Sequence, residues 1–222
     1  MVRAVLFDFD GTIADSEFAH LSCWNELLAP FKVKLEVAFY GPVCAGVRTE
    51  EIARRIVSHH PAVTAPASDL AIQKDAMYDA WVEANDIPAM PGAIELIEDL
   101  ARLGLLIGLV TGAADAPVCK TLAAHGLLER FAIRVTHDDV SRGKPAPDSY
   151  LLSLERLGVT AAEAVAFEDT SAGAASAKAA GIRTIAVPNA YTATHDFSIA
   201  DAVAASLFEA RNILNAWLQS EG

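Results

Sequence analysis

The sequence predicts an α/β protein, with a parallel-sheet core that carries an inserted helical domain. Short β-rich apolar runs recur along the chain, and helical periodicities separate most of them. One much longer helical stretch breaks this rhythm between the first run and the second. The chain has 222 residues, enough for one large domain or for a domain with a smaller insertion.

The first run, Val2 to Phe9, reads as a fully buried strand, because both faces of a parallel sheet are covered. Residues 105–111, 132–136, 164–167 and 183–187 repeat the pattern. Ahead of the second run, Ile94, Ile97, Leu100 and Ala101 line one face of a predicted helix, and Gly104 stops it. Val118, Leu122 and His125 do the same before Gly126, and residues 150–157 before Gly158. Strands alternating with helices imply βαβ crossovers, and such sheets place their ligand crevice beyond the carboxyl ends of the strands. The roughly ninety residues between the first two strands exceed what one crossover needs. Phe18, Leu21, Trp24 and Leu28 mark one helix there, Ile52, Ile56 and Val57 a second, and Ala71 to Val82 a third. Residues 16–87 are therefore read as a helical cap, with Pro88 and Pro91-Gly92 at its return, and residues 1–15 and 88–222 as the core. Val203, Leu207, Leu214 and Leu218 predict a terminal docking helix.

Composition narrows the function. A net charge of -12, with 29 acidic against 17 basic residues, repels nucleic acid and anionic membranes. No apolar run approaches the roughly 20 residues of a membrane span, and Asp8 and Asp10 interrupt any signal-peptide layout. Cys23, Cys44 and Cys119 show no metal-ligand spacing, which suits reduced packing residues in a cytoplasmic protein.

Four strand ends carry chemistry. Asp8-Phe9-Asp10-Gly11-Thr12 follows the first strand, where residues two apart face the same way. Asp8 and Asp10 then face the crevice and Phe9 the core. A carboxylate is ionised at neutral pH and can attack as it stands, and a second one beside it can pass protons to and from the reacting oxygens. A calcium loop is the rival reading, and Glu17 would fit its last position. Its first position would be Leu6, inside the apolar strand, and no helix precedes it, so that reading fails. At the second strand end, the Thr111 hydroxyl and the amides from Gly112 onward suit a phosphoryl oxygen. At the third, Pro145 and Pro147 stiffen the backbone around Lys144, with Asp148 placed to cap the next helix. At the fourth, Glu168 and Asp169 stand adjacent, costly unless a cation sits nearby, although Asp169 could instead cap a helix. Together with Asp8 and the Asp10 carbonyl they offer the oxygen ligands of a partly hydrated Mg²⁺.

These segments, DFDGT, VTGA, GKPAPD and FEDTSAG, resemble the four motifs of the haloacid dehalogenase superfamily, and residues 16–87 resemble its helical C1 cap. The resemblance implies a Rossmann-like core and Mg²⁺-dependent phosphoryl transfer. Asp8 would be the nucleophile and Asp10 the acid/base. Thr111 and Lys144 would hold phosphate, and Asp8, Asp10 and Asp169 the metal, with Glu168 in support. Residues 15–20, Gly46-Val47-Arg48 and Lys74 are similar to the β-phosphoglucomutase, phosphoglycolate phosphatase and CbbY-like group, which makes His20, Arg48 and Lys74 candidates for substrate contact. Ala113, Ala114 and Asp115 stand where a mutase carries donors for a second phosphate, and Asp115 would repel that phosphate. A phosphatase acting on a small phosphorylated metabolite is therefore expected. A phosphosugar mutase and a catalytically silent phosphate-binding protein are the alternatives.

Overall fold

The computed structural model describes residues 1–220. Its center is a six-stranded parallel sheet in the order β3-β2-β1-β4-β5-β6. The strands are β1 (Ala4–Phe7), β2 (Leu106–Val110), β3 (Ile133–Val135), β4 (Ala164–Glu168), β5 (Arg183–Ala186) and β6 (Ala202–Val203). Helices α1 (Glu17–Leu28), α2 (Val37–Cys44), α3 (Thr49–His59) and α4 (Ala67–Ala84) all lie between β1 and β2. Helices α5 (Ala93–Arg102), α6 (Asp115–Ala124), α7 (Asp148–Leu157), α8 (Ser171–Ala179) and α9 (Leu207–Ser220) cover the sheet.

β1 shows why this sequence makes a doubly covered sheet. Its side chains alternate between two cores. Val5 and Phe7 join the layer of Ile97, Leu100, Val118, Leu122 and Leu214, while Ala4 and Leu6 join that of Tyr150, Leu154 and Ala177. Phe7 stacks on Phe167 of β4 at 5.0 Å between ring centroids. Because β1 pairs with both β2 and β4, the strand order reverses direction there, and the crevice opens at that point.

Helices α1–α4 bury a separate cluster around Trp24, Leu28, Tyr40, Ile56 and Leu70. The chain leaves the core and returns to it side by side: Met90 N–H donates to Ile13 O at 2.7 Å, and Asp15 N–H to Pro88 O at 2.8 Å. The Lys120 ammonium donates to the Val82 and Glu83 carbonyls, securing the end of α4 to α6.

Several expectations change. The first strand is Ala4–Phe7, shorter than the apolar run. The buried face of α5 is Ala93, Leu96, Ile97 and Leu100, and Ile94 and Ala101 flank it. Val203 lies in β6 and is 53% exposed, so the terminal helix begins only at Leu207. Helix α2 is an addition, as is β6. Asp148 is the first residue of α7 rather than its cap, and its carboxylate takes two bonds from Arg142 at 2.9 and 3.0 Å. Thr170, not Asp169, caps α8, accepting from Gly173 N–H at 3.1 Å. No helix among the described residues is long and apolar enough to cross a membrane.

Candidate active site

Asp8 and Asp10 both border a cleft of about 270 Å³ beyond the strand ends, while Phe9 between them is buried. The amides of Ile13 and Ala14 donate to Phe9 O at 2.9 Å each, folding the chain into a tight turn that presents Asp10. Gly11 has φ +76°, and a Cβ there would collide with the Asp169 carboxylate, so only glycine lets the turn pass.

Lys144 ties three strand ends together. Its ammonium donates to Asp8 Oδ1 at 2.6 Å and to the Val110 carbonyl at 2.9 Å, and pairs with Glu168 Oε1 at 2.5 Å. Burial alone would lower its pKa, but the Asp8 and Glu168 carboxylates reverse that and raise it, so the lysine stays charged. Tyr150 donates its hydroxyl to the same Glu168 oxygen at 2.5 Å. Glu168 thus spends Oε1 on the lysine. Gly173 makes room for its carboxylate, which a Cβ there would strike.

Asp8, Glu168 and Asp169 bring one oxygen each within 4.8 Å of one another. Asp169 is fully buried, and its Oδ1 has no hydrogen-bond partner. Burial first, then the charges of Asp8, Glu17 and Glu168, push its carboxyl far above the usual range. Burial likewise raises Asp8, despite Lys144, and lifts Glu168 to about 7. Crowded buried carboxyls with an orphaned oxygen are what a divalent cation relieves, and an all-oxygen set suits Mg²⁺. The Asp10 side chain stands outside this group.

Thr111 is buried at the end of β2. Its Oγ1 accepts from Ala113 N–H at 2.9 Å, which leaves the hydroxyl proton to give to an anion. Gly112 borders the cleft, but the Ala113 amide expected to face a phosphoryl oxygen is spent on this bond. Asp115 is absent from the cleft lining and pairs with Arg134 at 3.4 Å. The expected repulsion of a second phosphate by Asp115 is therefore withdrawn.

The opposite wall comes from α1–α4. Lys74, only 3% exposed, donates to His20 Nδ1 at 2.9 Å, which places the imidazole proton on Nε2. That nitrogen lies 3.7 Å from Asp10 Oδ1, and Ser16 Oγ donates to the same oxygen at 2.6 Å. Burial would raise Asp10, but His20 and Ser16 outweigh it and hold the carboxyl below its ordinary value. Burial and the Lys74 charge in turn keep His20 low, hence neutral. Arg48 lies against Gly143, where a Cβ would strike its guanidinium, and that guanidinium has no hydrogen-bond or ion-pair partner among the described residues.

Thus Asp8, Asp10, Thr111, Gly112, Lys144 and Asp169 converge on the cleft with His20, Arg48 and Lys74, and Glu168 lies just behind them. Sequence reasoning weighed Glu17 only for the rejected calcium loop and gave Tyr78 no role, yet Glu17 Oε2 accepts from the Tyr40 hydroxyl at 2.9 Å and Tyr78 stacks on His20 at 3.8 Å. His137 borders the cleft as well. The i, i+3 step from Glu17 to His20 was the available signal for the first.

A family model described as haloacid dehalogenase-like hydrolase matches residues 5–187, and the chain belongs to that family. CbbY of Rhodobacter capsulatus is 33% identical over 210 residues, covering 90% of this chain and 91% of the relative. The validoxylamine A 7'-phosphate phosphatase of Streptomyces hygroscopicus subsp. limoneus is 30% identical, covering 88% of each chain. A crystal structure of a CbbY variant from Rhodobacter sphaeroides, in complex with xylulose-(1,5)bisphosphate, superposes with a TM-score of 0.82 at 30% identity, covering 94% of this chain and 96% of the other. The protein is an enzyme of this family, a phosphoric monoester hydrolase.

Proposed function

We propose that the protein is a Mg²⁺-dependent phosphatase that cleaves a small sugar phosphate or similar metabolite through an aspartyl-phosphate on Asp8. The observation that carries this is the 2.6 Å contact between Lys144 and Asp8 beside the orphaned oxygen of Asp169. A fixed cation and a buried acid with a free oxygen, both near Asp8, support its reading as the attacking carboxylate. The ester class rests on the relatives above, on the size of the cleft, and on a lining of Thr49, Tyr78 and Asp75 that can pair with hydroxyls.

Asp8 attacks phosphorus, and the bond from phosphorus to the ester oxygen breaks. Asp10 gives its proton to the departing oxygen. A bound phosphate dianion favors the protonated acid that this step needs, by raising the Asp10 pKa. Asp10 is then ionised, as His20 and Ser16 already hold it, and takes a proton from the water that attacks the aspartyl-phosphate. That second attack releases phosphate and restores Asp8. Mg²⁺, held by Asp8, Asp169 and the Asp10 carbonyl with Glu168 in support, would neutralise charge on the phosphoryl oxygens. Lys144 and Thr111 would hold those same oxygens, and α1–α4 would act as the cap that excludes bulk water.

The test is phosphate release from a panel of sugar phosphates, phosphoglycolate and nucleotides, with and without EDTA. Release that EDTA stops and Mg²⁺ restores is expected. Full activity in EDTA would refute the metal assignment. One arm uses β-glucose 1-phosphate with catalytic glucose 1,6-bisphosphate. Rapid isomerisation with negligible phosphate release there would replace the phosphatase by a mutase.

A further inference from the structure

We propose that Asn189, on the turn after β5, is a positioning residue for Asp169, holding one carboxylate oxygen so that the other faces the cation. The inference rests on the reading of Asp169 as a Mg²⁺ ligand.

The amide orientation is fixed by its own turn. Asn189 Oδ1 accepts from Tyr191 N–H at 2.8 Å and Thr192 N–H at 3.3 Å, and Asn189 N–H donates to Thr192 Oγ1 at 3.0 Å. Two backbone donors on Oδ1 leave the NH₂ group pointing the other way. There it donates to Asp169 Oδ2 at 2.8 Å and reaches the Gly11 carbonyl at 3.3 Å. Asp169 Oδ2 is thereby occupied, and Oδ1 is the buried oxygen left without a partner. One amide thus sets the direction in which the acid presents its free oxygen, and spans motif one and the metal acid at the same time.

The turn is itself braced from the far side. Ser171 N–H donates to His195 Nδ1 at 3.3 Å, so the ring proton sits on Nε2 and is given to the Gly41 carbonyl of α2 at 3.1 Å. Tyr191 packs edge-on to Tyr40 at 6.1 Å, and its carbonyl lies so close to Gly41 that a Cβ there would collide with it. Partners of this kind around a metal ligand typically govern metal affinity by 10-fold to about 100-fold.

The experiment is calorimetric titration of substrate-free enzyme with MgCl₂, for the wild type, Asn189→Ser and Asn189→Ala. Serine keeps an acceptor for the turn but is too short to bond Asp169, so it separates the two duties of the side chain. Below the Tm of each variant, Asn189→Ser should bind Mg²⁺ about tenfold more weakly. The Mg²⁺ half-saturation of activity should rise in parallel, while KM at saturating Mg²⁺ stays within about twofold. Asn189→Ala should show the same loss of metal affinity and a lower Tm. A folded Asn189→Ser enzyme with wild-type Mg²⁺ affinity would overturn the proposal. Wild-type enzyme that binds no Mg²⁺ would instead remove the functional reading, and this inference with it.

Discussion

The strand-end wall of the cleft locks its charges into short bonds, whereas the helical wall facing it leaves one guanidinium free. Lys144 is bound to Asp8, Glu168 and Val110 O. The Arg48 guanidinium lies against Gly143 with no hydrogen-bond or ion-pair partner among the described residues. A group that must stabilise charge in the transition state gains from being fixed beforehand, since it need not reorganise during the reaction. A group that recognises variable substrates gains from being available. The proposed function therefore assigns chemistry to one wall and choice to the other, so that substitutions on each should fail differently.

The largest effect should come from Asp8→Asn, which removes the nucleophile and weakens the metal site together. Turnover should fall about 10⁴-fold or more with the Tm unchanged within a few degrees. Wild-type turnover in this folded variant would break the comparison outright. Lys144→Ala should lower kcat by about 10²-fold to 10³-fold, the usual loss for one fixed electrostatic donor. A pure KM effect there would mean that the strand-end wall also serves binding alone. Arg48→Ala should sharpen the contrast. A lost charge-assisted bond is worth roughly 2 kcal/mol, so KM should rise about tenfold or more while kcat barely moves and the ranking of substrates shifts. If kcat falls instead, Arg48 belongs with the chemistry.

Much of the strand-end wall was legible because each of its residues follows a short apolar run, and a parallel sheet brings such ends together whatever their separation in sequence. Asp8, Thr111, Lys144 and Asp169 could be read that way. The helical wall was less legible. Helix α2 was hidden because Gly41-Pro42 reads as a break, yet Pro42 sits within the helix. Its Tyr40 then meets Glu17 from 23 positions away, a contact no local spacing announces. Strand β6 is two residues long, too short for a period to show. The outward turn of Asp115 depends on Arg134, and the part played by Asn189 depends on a tertiary contact with Asp169.

A smaller effect tests the cost of burying Glu17 between the walls. Burial, then the Asp10 charge, raises its carboxyl from 4.5 to about 7. A raised folded-state pKa means stability that is full below the unfolded value and lost as pH climbs through the folded one. Glu17→Gln cannot ionise and can still accept from Tyr40. Without Mg²⁺, its Tm should match the wild type near pH 4.5, rise above it between pH 4.5 and about 7, and hold a gain of roughly 10 °C beyond. A gain independent of pH would show that folding does not raise the glutamate's pKa, against the burial argument.

The central claim, covalent transfer to Asp8, is tested most directly by trapping the intermediate. In Asp10→Asn, the water of the second step has no base, while a substrate with a good leaving group such as p-nitrophenyl phosphate needs no acid in the first. Rapid mixing with Mg²⁺ should give a burst of p-nitrophenol approaching one equivalent per site. Acid quench, borohydride reduction and peptide mass spectrometry should then find position 8 converted to the reduced product of an acyl phosphate. A burst with an unmodified Asp8, or reduction at another carboxylate, would contradict the mechanism.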